Sequence, residues 1–179
     1  MKITHCAVDY DISHLSARLL RLGAWTGENG SLLEAEVEIR YANHCYTTLS
    51  ETAPASGVWS TRERNVFRVF NVERHALSVH LPDIIETLVA RPNLQVQRVS
   101  GRHNFKIFQV GLEGLKRGEK YFVFFKLERS NRVGLGGVHQ VRLSVESAYP
   151  RDKLVAGQWR PPFGKAIEEI LGLRREKLE

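Results

Sequence analysis

The runs LQVQRV (94–99), FKIFQV (105–110), YFVFFKL (121–127) and VRLSVESA (141–148) decide the fold class of this sequence. Each has the length and the β-branched or aromatic content of a strand. Turn-forming residues separate them at Ser100-Gly101, Gly114–Gly118 and Gly134–Gly137. Strands in quick succession after earlier helices point to an α+β fold with an antiparallel meander. Tyr121–Phe125 is apolar at five successive positions, so that strand is expected at the centre of the sheet, covered on both faces.

Working outward, Leu33, Ala35, Val37, Ile39 and Tyr41 alternate with Glu34, Glu36, Glu38 and Arg40, the period of a strand with one wet and one buried face. This strand is expected to run into His44-Cys45-Tyr46-Thr47. Ile3–Val8 reads as a short strand. Asp11 or Ser13 can cap a helix carrying Leu15, Leu19, Leu20 and Leu22, with Gly23 as its stop. Ser50–Thr61, with Pro54 and Gly57, reads as a surface loop. The pattern leaves the type of Val66–Val72 open. Glu73–Ala90 is helical in pattern but contains Pro82, which predicts two short helices, with Asp83 and Glu86 near the second N-terminus.

After Tyr149, Pro150, Pro161, Pro162 and Gly164 mark an irregular connection. Lys165–Lys177 then forms an amphipathic helix with Ile167, Ile170 and Leu171 on one side, suited to docking on the domain rim or on a second subunit. The expected organisation is one α+β domain over residues 1–150. In it, an N-terminal strand and short helices pack on a twisted antiparallel sheet. Residues 151–179 supply the connection and the C-terminal helix.

Composition narrows the function classes. The 179 residues are 42% hydrophobic, enough for a core, and no run approaches the length of a membrane span. The start MKITHCAVDYD lacks the apolar centre of a secretory signal, so the chain reads as cytoplasmic, with no membrane partner. Its two cysteines, Cys6 and Cys45, cannot form a disulfide framework and read as small buried side chains. Net charge is +6 and the isoelectric point about 9.5. The arginines cluster at Arg62–Arg74, Arg98–Arg102, Arg129–Arg132 and Arg142–Arg151. Guanidinium forks suit phosphate, so a polyanionic partner fits.

Several chemistries have no sequence support. There is no glycine-rich phosphate loop, dinucleotide fingerprint, zincin helix or serine nucleophile elbow. Gly134-Leu135-Gly136-Gly137 precedes a strand rather than a helix and reads as a hairpin loop. His75 and His80 would lie about 140° apart on a helix, too far round to share an ion. No metal and no cofactor is expected.

RNA can be cleaved without either. Its 2′-hydroxyl attacks the adjacent phosphate, and the protein supplies acid–base groups and positive charge. Arg102-His103-Asn104 opens one strand, Lys126, Glu128 and Arg129 close the next, and Ser144, Glu146, Ser147 and Tyr149 line the last. The helical segment adds Arg74, His75 and Ser78.

The order of these segments resembles a family of small phage- and prophage-encoded proteins. That family is grouped with barnase, EndoU, colicin-type ribonucleases and RelE toxins, and some members are labelled "heat shock protein C". The resemblance rests on His44-Cys45-Tyr46-Thr47, FNVERHALSVHLPDII (70–85), Arg102-His103-Asn104-Phe105, Tyr121–Phe125 and VRLSVESAYPRD (141–152), spanning Ile39 to Asp152. The tryptophan- and lysine-rich C-terminal motif of such members is not found, unless Trp159 and Lys165 are its remnant. The resemblance implies a sheet packed on N-terminal helices and metal-independent cleavage of RNA. It places function near Arg74, the Arg102–Asn104 turn and the Ser147–Tyr149 end.

The expected function is therefore a metal-independent endoribonuclease of phage or prophage origin. His103 is the acid–base group, Arg74 and Arg102 hold phosphate, and Ser147 with Tyr149 position the substrate. Arg68, His75, Lys126, Arg129 and Arg142 are the expected RNA contacts. RNA, tRNA included, is the expected partner, with an inhibitor protein as a second one. The alternatives are a non-catalytic binding protein, either a nucleic-acid binder or a phage-derived protein-interaction module using the same basic surface, and a structural or assembly component that uses the C-terminal helix as a contact.

Overall fold

A computed structural model describes residues 1–28, 30–63, 65–99, 105–130, 138–152 and 160–173. In chain order it contains β1 (Lys2–His5), β2 (Val8–Asp11), β3 (Arg18–Arg21), β4 (Ala35–Tyr41), β5 (Thr47–Ser50), β6 (Ser60–Glu63) and β7 (Val66–Phe70). Then come α1 (Val72–Ser78), α2 (Leu81–Ala90), β8 (Gln97–Arg98), β9 (Phe105–Val110), β10 (Lys120–Arg129), β11 (His139–Arg151) and α3 (Phe163–Leu171). The fold is α+β. Its main sheet has the order β3-β4-β11-β10-β9-β8, a hairpin pairs β1 with β2, and a three-stranded sheet has the order β5-β7-β6.

The strongest sequence signals become the middle of the main sheet. Alternation in β4 puts Ala35, Val37 and Ile39 in the core, fully buried. β10 is covered on both sides: Tyr121, Val123 and Phe125 join the main core, while Phe122 and Phe124 form a second cluster with Ile107. The meander β8-β9-β10-β11 is antiparallel, but β4 joins β11 in parallel, with Val37 opposite Val141. The long excursion between these two strands makes the parallel pairing possible, because a parallel neighbour needs a crossover rather than a tight turn.

Several local expectations are corrected. The helix expected from Ser13 to Gly23 is a 3₁₀ turn at Ser13–Leu15 followed by β3. Leu20 pairs with Val37 and packs on the main core, whereas Leu19 points outward and is 57% exposed. A period of two therefore replaces the helical period, because β4 offers an open edge for pairing. Gly23 is not a helix stop: its N–H donates to the Val89 carbonyl at 2.9 Å, close against the end of α2. Cys6 is exposed rather than buried, at a two-residue β1–β2 turn in which it and Ala7 have φ of 50° and 63°. Cys45 is buried, and burial pushes its thiol up to about 12.

The segment 73–90 does divide at Pro82, which lies in the first turn of α2, with Asp83 beside it. Asn71 caps α1 by accepting the Arg74 N–H at 2.8 Å. The apolar side of α3 is buried in the same chain: Phe163, Ala166, Ile167 and Leu171 belong to the main core. No helix among the described residues is long and apolar enough to cross a membrane.

Candidate functional site

The arginines marked by the sequence divide by the partners their guanidinium groups find. Arg68 on β7 is buried and donates to Thr47 Oγ1 at 2.9 Å and to the Thr47 carbonyl at 3.2 Å. It joins β7 to the start of β5. Arg142 and Arg40 both pair with Glu38, at 3.1 and 2.6 Å, and Lys126 pairs with Glu146 at 2.9 Å. Arg40 holds the Glu38 carboxyl below its usual range, with Arg142 adding to it against the effect of burial. These cations are balanced within the sheet face. Arg129 is exposed at the end of β10.

Arg74 is placed differently. Its Nη1 donates to the carbonyls of His44 and Thr47, at 3.1 and 3.0 Å, and its Cζ lies 5.0 Å from the centre of the Tyr149 ring. Tyr149 stacks on Phe124 with ring centres 5.0 Å apart, and Arg151 Cζ lies 5.9 Å from the same ring. Two guanidinium groups thus converge on one aromatic ring, an arrangement favoured by the ring quadrupole. Neither Arg74 nor Arg151 has an ion-pair partner among the described residues. Ser147 lies two positions along the same strand, opposite Phe124, with Tyr149 opposite Phe122.

The structure therefore brings together Arg74, Ser147 and Tyr149 and adds Arg151. Arg102 and His103, with the loop 134–137, lie outside the described residues. Phe105, which follows them, pairs with Lys126, four positions along β10 from Phe122. That is about 13 Å at strand spacing.

His75 belongs to another cluster. Its Nε2 meets the Asp11 carbonyl at 2.9 Å, and its ring packs on Tyr10, Phe70 and His14. Buried Ser78 donates to the His75 carbonyl at 2.7 Å and meets His14 Nε2 at 2.9 Å. Burial pushes the His14 pKa below its ordinary 6.5, and the neighbouring His75 pushes the same way, with Asp11 opposing. The unfolded chain then binds more protons in this range, so stability from His14 is complete above about pH 6.5 and declines as pH falls through the lower folded value. Acidification from pH 7.5 to 5.5 is expected to lower Tm less in His14→Gln than in the unaltered chain. Equal drops in a thermal melt would remove His14 from this role.

One further pair, His44 and Glu63, has no signature in the sequence. His44 stands in a 3₁₀ turn at Asn43–Cys45, and its Nε2 is 2.8 Å from Glu63 Oε2 at the end of β6. Both side chains are about a third exposed, at 33% and 37%. With Asn65 and Val66 they line a surface cavity of about 750 Å³. Burial raises the Glu63 pKa, but hydrogen bonds from His44 and Asn43 outweigh it and hold the carboxyl below its usual value. Among the described residues no group of three or more His, Cys, Asp or Glu side chains is placed to hold a metal.

The YjaZ family model matches residues 2–169, and the chain belongs to that family. No curated protein and no solved structure matches it significantly.

Proposed function

We propose that this member of the YjaZ family acts on RNA in the cytoplasm, as a metal-independent endoribonuclease of phage or prophage origin. The observation that carries the reading is the pair Arg74 and Arg151 on the Tyr149 ring, two guanidinium groups with no carboxylate among the described residues to neutralise them. A phosphate of the RNA backbone supplies the missing anion, since guanidinium forks bind phosphate oxygens through charge-assisted hydrogen bonds. The ordered resemblance to phage-associated nucleases supplies the substrate class. The family match carries no activity by itself.

The cluster reads backbone rather than base. One face of Tyr149 is covered by Phe124, and arginines crowd its ring, so a base has no open platform on which to stack. In this reading Ser147, two positions from Tyr149 on the same strand, is the hydrogen-bonding partner of the sugar or phosphate.

RNA affinity should fall in Arg151→Ala, and the slope of log affinity against log salt should become shallower by about one. Arg74→Ala should show the same change. Because Arg74 also holds the carbonyls of His44 and Thr47, Arg151→Ala is the cleaner variant. Fluorescence anisotropy with labelled tRNA across a salt series checks this, and an unchanged slope in both variants would remove the cluster from RNA binding. Binding without any product would place the chain in the non-catalytic class.

A further inference from the structure

We infer that His44, oriented by Glu63, is the acid–base group that moves the 2′-hydroxyl proton during RNA cleavage. The inference rests on the RNA reading above and names the residue that performs its chemistry. Glu63 is held ionised and can only accept hydrogen bonds, so the bond at 2.8 Å makes Nε2 the donor. In the neutral ring the lone pair then sits on Nδ1, which has no partner among the described residues. A pair about a third exposed adds little to stability, roughly 0–1 kcal/mol, so packing alone gives no strong reason for it. The cavity lined by His44, Glu63, Asn65 and Val66 leaves room for a nucleotide beside the ring.

The same residue connects this pair to the phosphate-binding arginine. The His44 carbonyl accepts from Arg74 Nη1, while its side chain lies at the cavity. An RNA strand with one phosphate on Arg74 and Arg151 brings a neighbouring nucleotide past the 3₁₀ turn that carries His44. Nδ1 takes the proton of the 2′-hydroxyl, and the 2′-oxygen forms a bond to phosphorus. The bond from phosphorus to the 5′-oxygen breaks, and the imidazolium returns the proton to that oxygen. The products are a 2′,3′-cyclic phosphate and a 5′-hydroxyl, and no co-reactant is consumed. Glu63 is a positioning residue, setting the tautomer and steadying the imidazolium.

The test is cleavage of total RNA and tRNA by the full chain in excess EDTA, beside His44→Ala and Glu63→Gln. His44→Ala should lose about 10²–10⁴-fold in rate with RNA affinity unchanged, and added imidazole should restore part of it. Glu63→Gln should lose at least roughly tenfold. Imidazole should not rescue Arg74→Ala. Full activity in folded His44→Ala, judged by circular dichroism, overturns the inference and leaves the RNA reading standing. RNA bound through Arg74 and Arg151 but never cut by the unaltered chain overturns the inference and the endoribonuclease reading together and leaves only RNA binding. Neither binding nor cleavage overturns both.

Discussion

Gly23→Ala is expected to destabilise the fold by about 3 kcal/mol or more, the upper part of the range for forced overpacking. A Cβ at Gly23 would stand 2.1 Å from the Ala90 carbonyl oxygen, 2.7 Å from its carbon and 3.1 Å from Pro92 Cδ. The first two are backbone atoms at the end of α2, so no rotamer change relieves the contact. Either the chain after β3 or the end of α2 has to move. That movement stretches the Gly23 N–H bond to the Val89 carbonyl and disturbs Leu22 and Val89, both buried in the main core. Replacing glycine also stiffens the unfolded chain, which favours folding by roughly 0.4–1 kcal/mol and does not offset the clash. For a chain of this size the net effect corresponds to a fall in Tm of roughly 6–12 °C. Thermal unfolding followed by circular dichroism checks it, and a variant as stable as the unaltered chain would mean that β3 and α2 are not in contact at Gly23.

Phe163→Ala should cost about 3–5 kcal/mol, as deletion of a fully buried aromatic side chain does. Phe163 has no exposed surface and meets Phe125 edge to face, with ring centres 6.2 Å apart. Its segment is also joined to the rest of the fold through the backbone. The N–H groups of Phe163 and Gly164 donate to the carbonyls of Leu94 and Pro92, and the Val96 N–H donates to the Pro161 carbonyl. α3 thus completes the core beneath β10 rather than hanging from the rim. A chain ending at Pro150 would expose the surface that Phe163, Ala166, Ile167 and Leu171 cover. It is expected to lose its cooperative unfolding transition. Native-like melting of that shortened chain, together with a small effect of Phe163→Ala, would show α3 to be an appendage.

What could be read in the sequence was what depends on near neighbours in the chain. The alternation at Leu33–Tyr41 and the unbroken apolar run at Tyr121–Phe125 mark β4 and β10 because burial sets those patterns directly. Pro82 divides the helices for an equally local reason. Leu15–Leu22 misled because a short apolar run suits helix or strand alike, and the open edge of β4 decided between them. The three-stranded sheet was hidden because Ser60–Glu63 has almost no apolar face. The parallel pairing of β4 with β11 depends on residues about a hundred positions apart.

The site follows the same division. Arg74 and Tyr149 stood out in the sequence by residue type, and the two side chains do meet. Their neighbours were not recognisable. Arg68 carries the same charge as Arg74, yet Thr47 claims its guanidinium, and Glu38 and Glu146 claim Arg142 and Lys126. His44 and Glu63 are brought together only when β5 and β6 flank β7, a pairing with no signature in their spacing.

The most direct test of the account is to incubate the purified chain with total RNA and tRNA in excess EDTA and to identify the ends of whatever is formed. Chelator-resistant fragments ending in 2′,3′-cyclic phosphate with matching 5′-hydroxyls are the expected result. RNA that stays intact would contradict the endoribonuclease reading.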